Sequence, residues 1–171
     1  MLSPAAVLFA SAAEIPATVP RTHTPAVEAR LGRLVGDWTI QGLPSNTFRQ
    51  KCAWYGGSAF VVCNFQDQRD RSTGQVVFGY SELQKRFTYY RFDSRGRGVY
   101  QLGFPTGTYG IVFTDERLES DGWARVQTTL NLEDEGLHYT QYRSLEGRTW
   151  QRIADFLYVP AAEKRSAKNR H

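Results

Sequence analysis

The sequence predicts an all-β protein, an up-and-down antiparallel β-barrel of about ten strands with one short N-terminal helix. Apolar and aromatic residues alternate with polar ones from about residue 37 to residue 158, the two-residue period of strands with one face turned inward. Turn-forming clusters interrupt that alternation: "YGGS", "DQRDRSTG", "LQK", "SRGRG", "PTG", "ESDG", "EDEG" and "LEGR". None is long enough to carry a parallel crossover through a helix, so successive strands must pair antiparallel. A meander of that length leaves two bare edges unless it splits into a sandwich or closes, and closure removes the edges altogether.

The 171 residues suit one domain, since a chain near ~150 residues buries roughly 68–70% of its unfolded surface. Residues 1–22 read as a signal remnant and linker, 23–160 as the barrel and 161–171 as a basic tail. "PAAVLFASAA" is an apolar stretch that ends in small residues, Ala10-Ser11-Ala12, as a signal peptidase site does, although no basic start precedes it. A shortened export signal is one explanation and an alanine-rich tail the other. Beyond Pro16 and Pro20, "THTPAVEARLGRLVG" has the chemistry of a helix start: Thr24 as cap, Pro25 in the first position, and Val27, Leu31 and Leu34 at helical spacing. Gly36 ends it after about three turns. Strands are expected near 37–42, 47–55, 59–66, 75–82, 86–93, 98–104, 108–115, 123–131, 137–144 and 149–158.

Charge narrows the partners. Of the net +4, the tail from Glu163 to His171 carries +3, through Lys164, Arg165, Lys168 and Arg170 against Glu163. A body near +1 lacks the footprint of a nucleic-acid binder. No run approaches the ~18 apolar residues of a membrane span, which predicts a soluble mature chain. "DERLESD" and "LEDEG" read as acidic, solvated turns.

The only cysteines, Cys52 and Cys63, flank a glycine pair in "KCAWYGGSAFVVC". Partners across a tight hairpin have residue numbers of constant sum. A type II′ turn centred on Gly57-Ser58 makes that sum 115, which places Cys52 opposite Cys63 at about 4.5–5.5 Å between Cα atoms, within reach of a disulfide. A turn on Gly56-Gly57 makes it 113 and sets them diagonally, roughly 7–8 Å apart. The first register is preferred, with a pair of buried free thiols as the alternative. A cross-strand disulfide persists in oxidising compartments, so a periplasmic or secreted location is expected. A catalytic thiol would need an activating base, and none lies nearby in the sequence.

"LGRLVGDWTIQG" sets Gly36-Asp37-Trp38 at the head of the first strand. That is similar to the G-x-W signature of lipocalins and other calycins, and the pattern from 28 to 158 resembles a bacterial calycin-type family of uncharacterised, often exported proteins. "CAWYGGSAFVVC", "FGYSELQKRFTYYRFDSRG" and "RSLEGRTWQRIADFLY" share that style. The resemblance implies that Trp38 plugs one end of the barrel and that a late arginine, Arg143 or Arg152, lies over it. A two-residue turn at Glu146-Gly147 sets Arg143 opposite Trp150, and a bulge shifts that partner by one residue.

If the cysteines face inward, Phe48, Gln50, Trp54, Val61 and Phe65 share their face. "RFTYYRFD" divides into Phe87, Tyr89, Arg91 and Asp93 against Thr88, Tyr90 and Phe92. "LHYTQYRS" sets Tyr139, Gln141 and Arg143 against His138, Thr140 and Tyr142. Trp54, Tyr89, Arg91, Tyr139 and Arg143 are therefore the candidate ligand-binding residues, for a small apolar or amphipathic molecule with an anionic head. The alternative is a cofactor-free lyase or isomerase in which Tyr89, Asp93 or His138 moves protons and Arg91 holds an anionic intermediate. A third reading is a solid barrel acting through its surface. His138 is the one histidine within the predicted fold, which argues against a transition-metal centre, and no nucleotide or cofactor fingerprint is present.

Overall fold

The computed structural model describes residues 23–133 and 136–161. The expectations for residues 1–22 and for the tail beyond Ala161 lie outside them. One helix, α1 (Pro25–Gly32), precedes ten strands: β1 (Gly36–Ile40), β2 (Phe48–Tyr55), β3 (Phe60–Asp67), β4 (Ser72–Ser81), β5 (Arg86–Asp93), β6 (Gly98–Thr106), β7 (Gly110–Glu119), β8 (Gly122–Glu133), β9 (Gly136–Ser144) and β10 (Gln151–Pro160). Each strand pairs antiparallel with the next, and β10 pairs with β1 through Trp38 and Pro160, Thr39 and Val159, and Ile40 and Tyr158, so the barrel is closed.

α1 is eight residues long, shorter than the three turns expected. Pro25 opens it as predicted, but the Thr24 side chain makes no capping bond; its carbonyl accepts from the Glu28 N–H instead. Beyond Gly32 the Leu34 N–H bonds to the Leu31 carbonyl and the Val35 N–H to that of Gly32, tight turns that lead the chain out into β1. Val27, Leu31 and Leu34 are buried at one end of the barrel. Burying a leucine side chain contributes about 1.5–3 kcal/mol, which outweighs the weak intrinsic stability of so short a helix.

The β2–β3 hairpin has the preferred register: Cys52 faces Cys63 and the two form a disulfide. Their Cα atoms are 3.9 Å apart, closer than expected. The turn type differs, since Gly56, Gly57 and Ser58 all have positive φ, whereas a II′ turn needs it only at its first central residue. Both sulfurs point inward, and Phe48, Gln50, Val61 and Phe65 are buried on the same face.

Several strands exceed their expected lengths, β4 and β7 among them. β4 starts at Ser72, and β7 continues to Glu119. "DERLE" is therefore strand and not a solvated turn: Asp115, Arg117 and Glu119 follow Ile111 and Phe113 on the inner face. Their charges are tolerated there because this end of the barrel is open to solvent and supplies partners for them.

The interior is filled mainly by aromatic rings. Phe78, Tyr89 and Phe113 pack with centroids 5.3 to 6.3 Å apart, and Phe48 packs on Phe65 at 6.4 Å and on Tyr158 at 5.5 Å. At the helix end, the Arg30 guanidinium donates to the carbonyls of Gly107 and Thr108, and the Trp38 indole N–H donates to that of Leu34. Among the described residues no helix is long and apolar enough to cross a membrane.

Candidate functional site

At the end opposite α1, three inner-face segments converge. β5 contributes Tyr89, Arg91 and Asp93, β7 contributes Arg117, and β9 contributes Tyr139 and Gln141; together with Arg97 and Val99 they line a mouth pocket of about 180 Å3. Alternation alone places them, since odd-numbered residues of β5, β7 and β9 all point inward. Below the mouth, Tyr89, Arg91 and Tyr139 also border an inner cavity of only about 30 Å3, closed by Phe48, Phe65, Phe78 and Tyr158. That is room for about one water molecule. An apolar guest wholly inside the barrel is therefore not accommodated, because the side chains that were to line its cavity meet one another across the axis.

The arginines of the mouth differ in their partners. Arg97 pairs with Asp93 and Asp70, each at 2.6 Å, and Arg117 pairs with Glu119 at 2.7 Å and with Asp115 at 4.0 Å. Arg91 has none: among the described residues no carboxylate lies within ion-pair distance of it, and its guanidinium sits 4.7 Å from the centre of the Phe65 ring. It also stands close enough to Tyr89 for its charge to oppose the effect of burial on that phenol.

The electrostatics keep the mouth's phenols neutral. Burial pushes Tyr89 above its ordinary value against the opposing pull of Arg91, and burial pushes Tyr139 far up. Burial also pushes Asp93 up, but the N–H groups of Arg97 and Arg95 and the Arg97 side chain outweigh it and hold the carboxylate below its ordinary value. Tyr89 and Tyr139 are thus hydrogen-bond donors, and Asp93 is an anion tied to Arg97. Asp115, bonded by the Gln101 amide at 2.9 Å, is pushed up by burial.

The structure brings together only some of the residues singled out in the sequence. Tyr89, Arg91, Asp93 and Tyr139 share the mouth. Trp54 points inward at the other end, beneath Gly32 of α1, and touches neither cavity. Arg143 stands on the rim, bound to Glu119 at 2.6 Å and to Asp121. His138 is on the outer face, with Nε2 2.7 Å from an Asp155 carboxylate oxygen, so strand alternation removes it from any chemistry in the barrel. Arg152 is also outside, paired with Asp155 at 2.5 Å, and Arg143 faces Gln151, not Trp150. The hairpin is one residue out of the simple register, and a bulge between Arg152 and Ala154 adds another. Neither arginine makes a cation–π contact with Trp38; the guanidiniums at the helix end are those of Arg30 over Phe87 and Arg33 over Tyr109.

Arg117 and Arg97 were missed as site residues. Arg117 had a readable signal, because D-E-R-L-E alternates with the same period as the apolar strand before it. Among the described residues no group of three or more His, Cys, Asp or Glu side chains is placed to hold a metal. No family model matches the chain, and no curated protein matches it in sequence.

Proposed function

We propose that this chain is a calycin-type binding protein whose site is the open mouth of the barrel, and that its ligand is a small carboxylate or similar anion with a short apolar body. One observation carries the reading. Arg91 shares the mouth with Tyr89 and Tyr139, lies over the Phe65 ring and has no acidic partner among the described residues, whereas Arg97 and Arg117 are neutralised. A guanidinium beside aromatic rings has lost part of its hydration, and an anionic group would replace it with charge-assisted bonds, the neutral phenols donating alongside.

The space limits the guest. About 180 Å3 of mouth above about 30 Å3 of cavity is less than the ~300–1,000 Å3 of sites for drug-sized ligands. A long acyl chain does not fit, while a single ring or a short branched chain does. The Cys52–Cys63 disulfide supports an oxidising compartment, hence a periplasmic or secreted protein.

Calorimetry with benzoate and its neutral analogue benzamide tests the reading, using the wild type and Arg91→Met, which keeps an apolar stem. Benzoate is expected to bind the wild type at least tenfold more tightly than benzamide does, and Arg91→Met to abolish that preference. Equal binding of both probes, or a preference that survives the substitution, would overturn the proposal. Native mass spectrometry of freshly purified protein would weigh any retained ligand.

A further inference from the structure

The outer surface of β3 to β6 is unlike the rest of the barrel wall. Register sets two apolar rows across these strands: Val62, Val77, Tyr90 and Tyr100 in one, and Phe60, Gly79, Thr88 and Leu102 in the next. Tyr90 and Tyr100 stack at 4.4 Å, and Phe60 lies flat over Gly79, where a Cβ would come within 2.7 Å of its ring. Phe92 and Phe104 extend the patch on either side. These rings are not buried: Phe60, Tyr90, Phe92, Tyr100 and Phe104 are between 42% and 49% exposed.

The opposite wall carries polar outward residues, among them Glu116, Thr129, Thr140 and the His138–Asp155 pair, and its exposed apolar side chains, Leu118 and Trp123 at the rim and Ile153 on β10, do not join into rows. The aromatic wall is therefore a one-sided patch and not the continuous apolar belt of a membrane barrel. At ~150–250 Å2 per aromatic side chain, the five exposed rings present roughly 300–550 Å2. That matches the apolar centre of a standard interface, about 800 Å2 per partner once its polar rim is included, and it equals the largest patch a typical monomer leaves bare.

We infer that this wall pairs two copies of the chain, face to face about a two-fold axis near the Tyr90 and Tyr100 stack. Charge favours a second copy as the occupant. Neither central row contains a charged residue, and Arg86 stands at the margin with its guanidinium 3.4 Å from the centre of the Phe104 ring. Self-pairing therefore sets apolar row on apolar row and brings no like charges together at the centre. Depletion of charge with enrichment of tyrosine and phenylalanine is the composition of an interface core.

Sedimentation equilibrium of the full chain over a range of concentrations tests this. The wild type is expected to reach twice the 19.4 kDa chain mass. Tyr90→Lys with Tyr100→Lys is expected to weaken association at least a hundredfold, with an unchanged circular dichroism spectrum because both rings are half-exposed. Phe92→Glu provides a second, single-site disruption should the double variant fail to fold. Leu118→Lys with Trp123→Lys, on the open rim, should leave the dimer intact. A wild type that stays monomeric at every concentration would overturn the inference. So would a dimer that survives the wall substitutions, or one that dissociates through the rim.

Discussion

At the helix end of the barrel Leu31 and Leu34 are wholly buried, and the arginines there bond to backbone carbonyls or lie over rings. At the other end the same strands finish in Asp67, Asp93, Glu119 and Arg143, and Arg69, Arg97 and Arg143 there pair with carboxylates while Arg91 does not. One end is sealed by apolar burial, which is insensitive to pH, and the other is framed by ion pairs that leave a pocket between them. The contrast separates what stabilises the barrel from what keeps one end of it open. Burial supplies the stability, and the charged frame holds Arg91 at the entrance without neutralising it.

Substitutions that separate the two ends follow in order of size. Leu31→Ala empties a fully buried position in the plug and should cost about 2–5 kcal/mol in chemical denaturation. A loss below ~1 kcal/mol would mean that the helix only rests on the barrel. Replacing both cysteines by alanine opens a link between residues separated by 11 positions and should cost about 2–3 kcal/mol, leaving affinity at the mouth unchanged because the bridge lies outside its lining.

Acid should act on the open end first. Asp67 is held below its ordinary value of 3.8 by the Arg69 side chain, and Asp70 by Ser72 and Arg97; in Asp93 bonds from Arg97 and Arg95 outweigh the upward push of burial. A depressed carboxylate stabilises the fold above its unfolded-state value, and that contribution is lost as the pH falls through the lower folded value. Protection factors from hydrogen exchange, compared at pH 6 and pH 3, are therefore expected to drop in the turns at 68–71 and 94–97 while the strand ends beneath α1 keep theirs. Equal loss at both ends would show that the rim pairs add nothing.

Much of this division was readable beforehand. Period-two alternation placed ten strands, and the constant sum of 115 placed Cys52 against Cys63. The faces of "RFTYYRFD" and "LHYTQYRS" came out as alternation requires, which put Tyr89, Arg91 and Tyr139 inside. What could not be read depends on distance across the barrel or on one-residue irregularities. The filling of the interior follows from where rings on β2, β4, β5, β7 and β10 meet, and no local pattern encodes that. The length of the turn before Gln151 moves the partner of Arg143 by one residue, the bulge after Arg152 shifts the pairs beyond it, and the charged composition of the run from Asp115 masks the last residues of β7.

The central claim is that an anion settles at Arg91 and not at the arginines of the sealed end. Arginine side-chain Nε–H resonances, followed by NMR as benzoate is added, test it most directly. The account predicts that the Arg91 signal moves in step with saturation while those of Arg30 and Arg33 stay fixed. Movement of Arg30 or Arg33, with Arg91 silent, would contradict it.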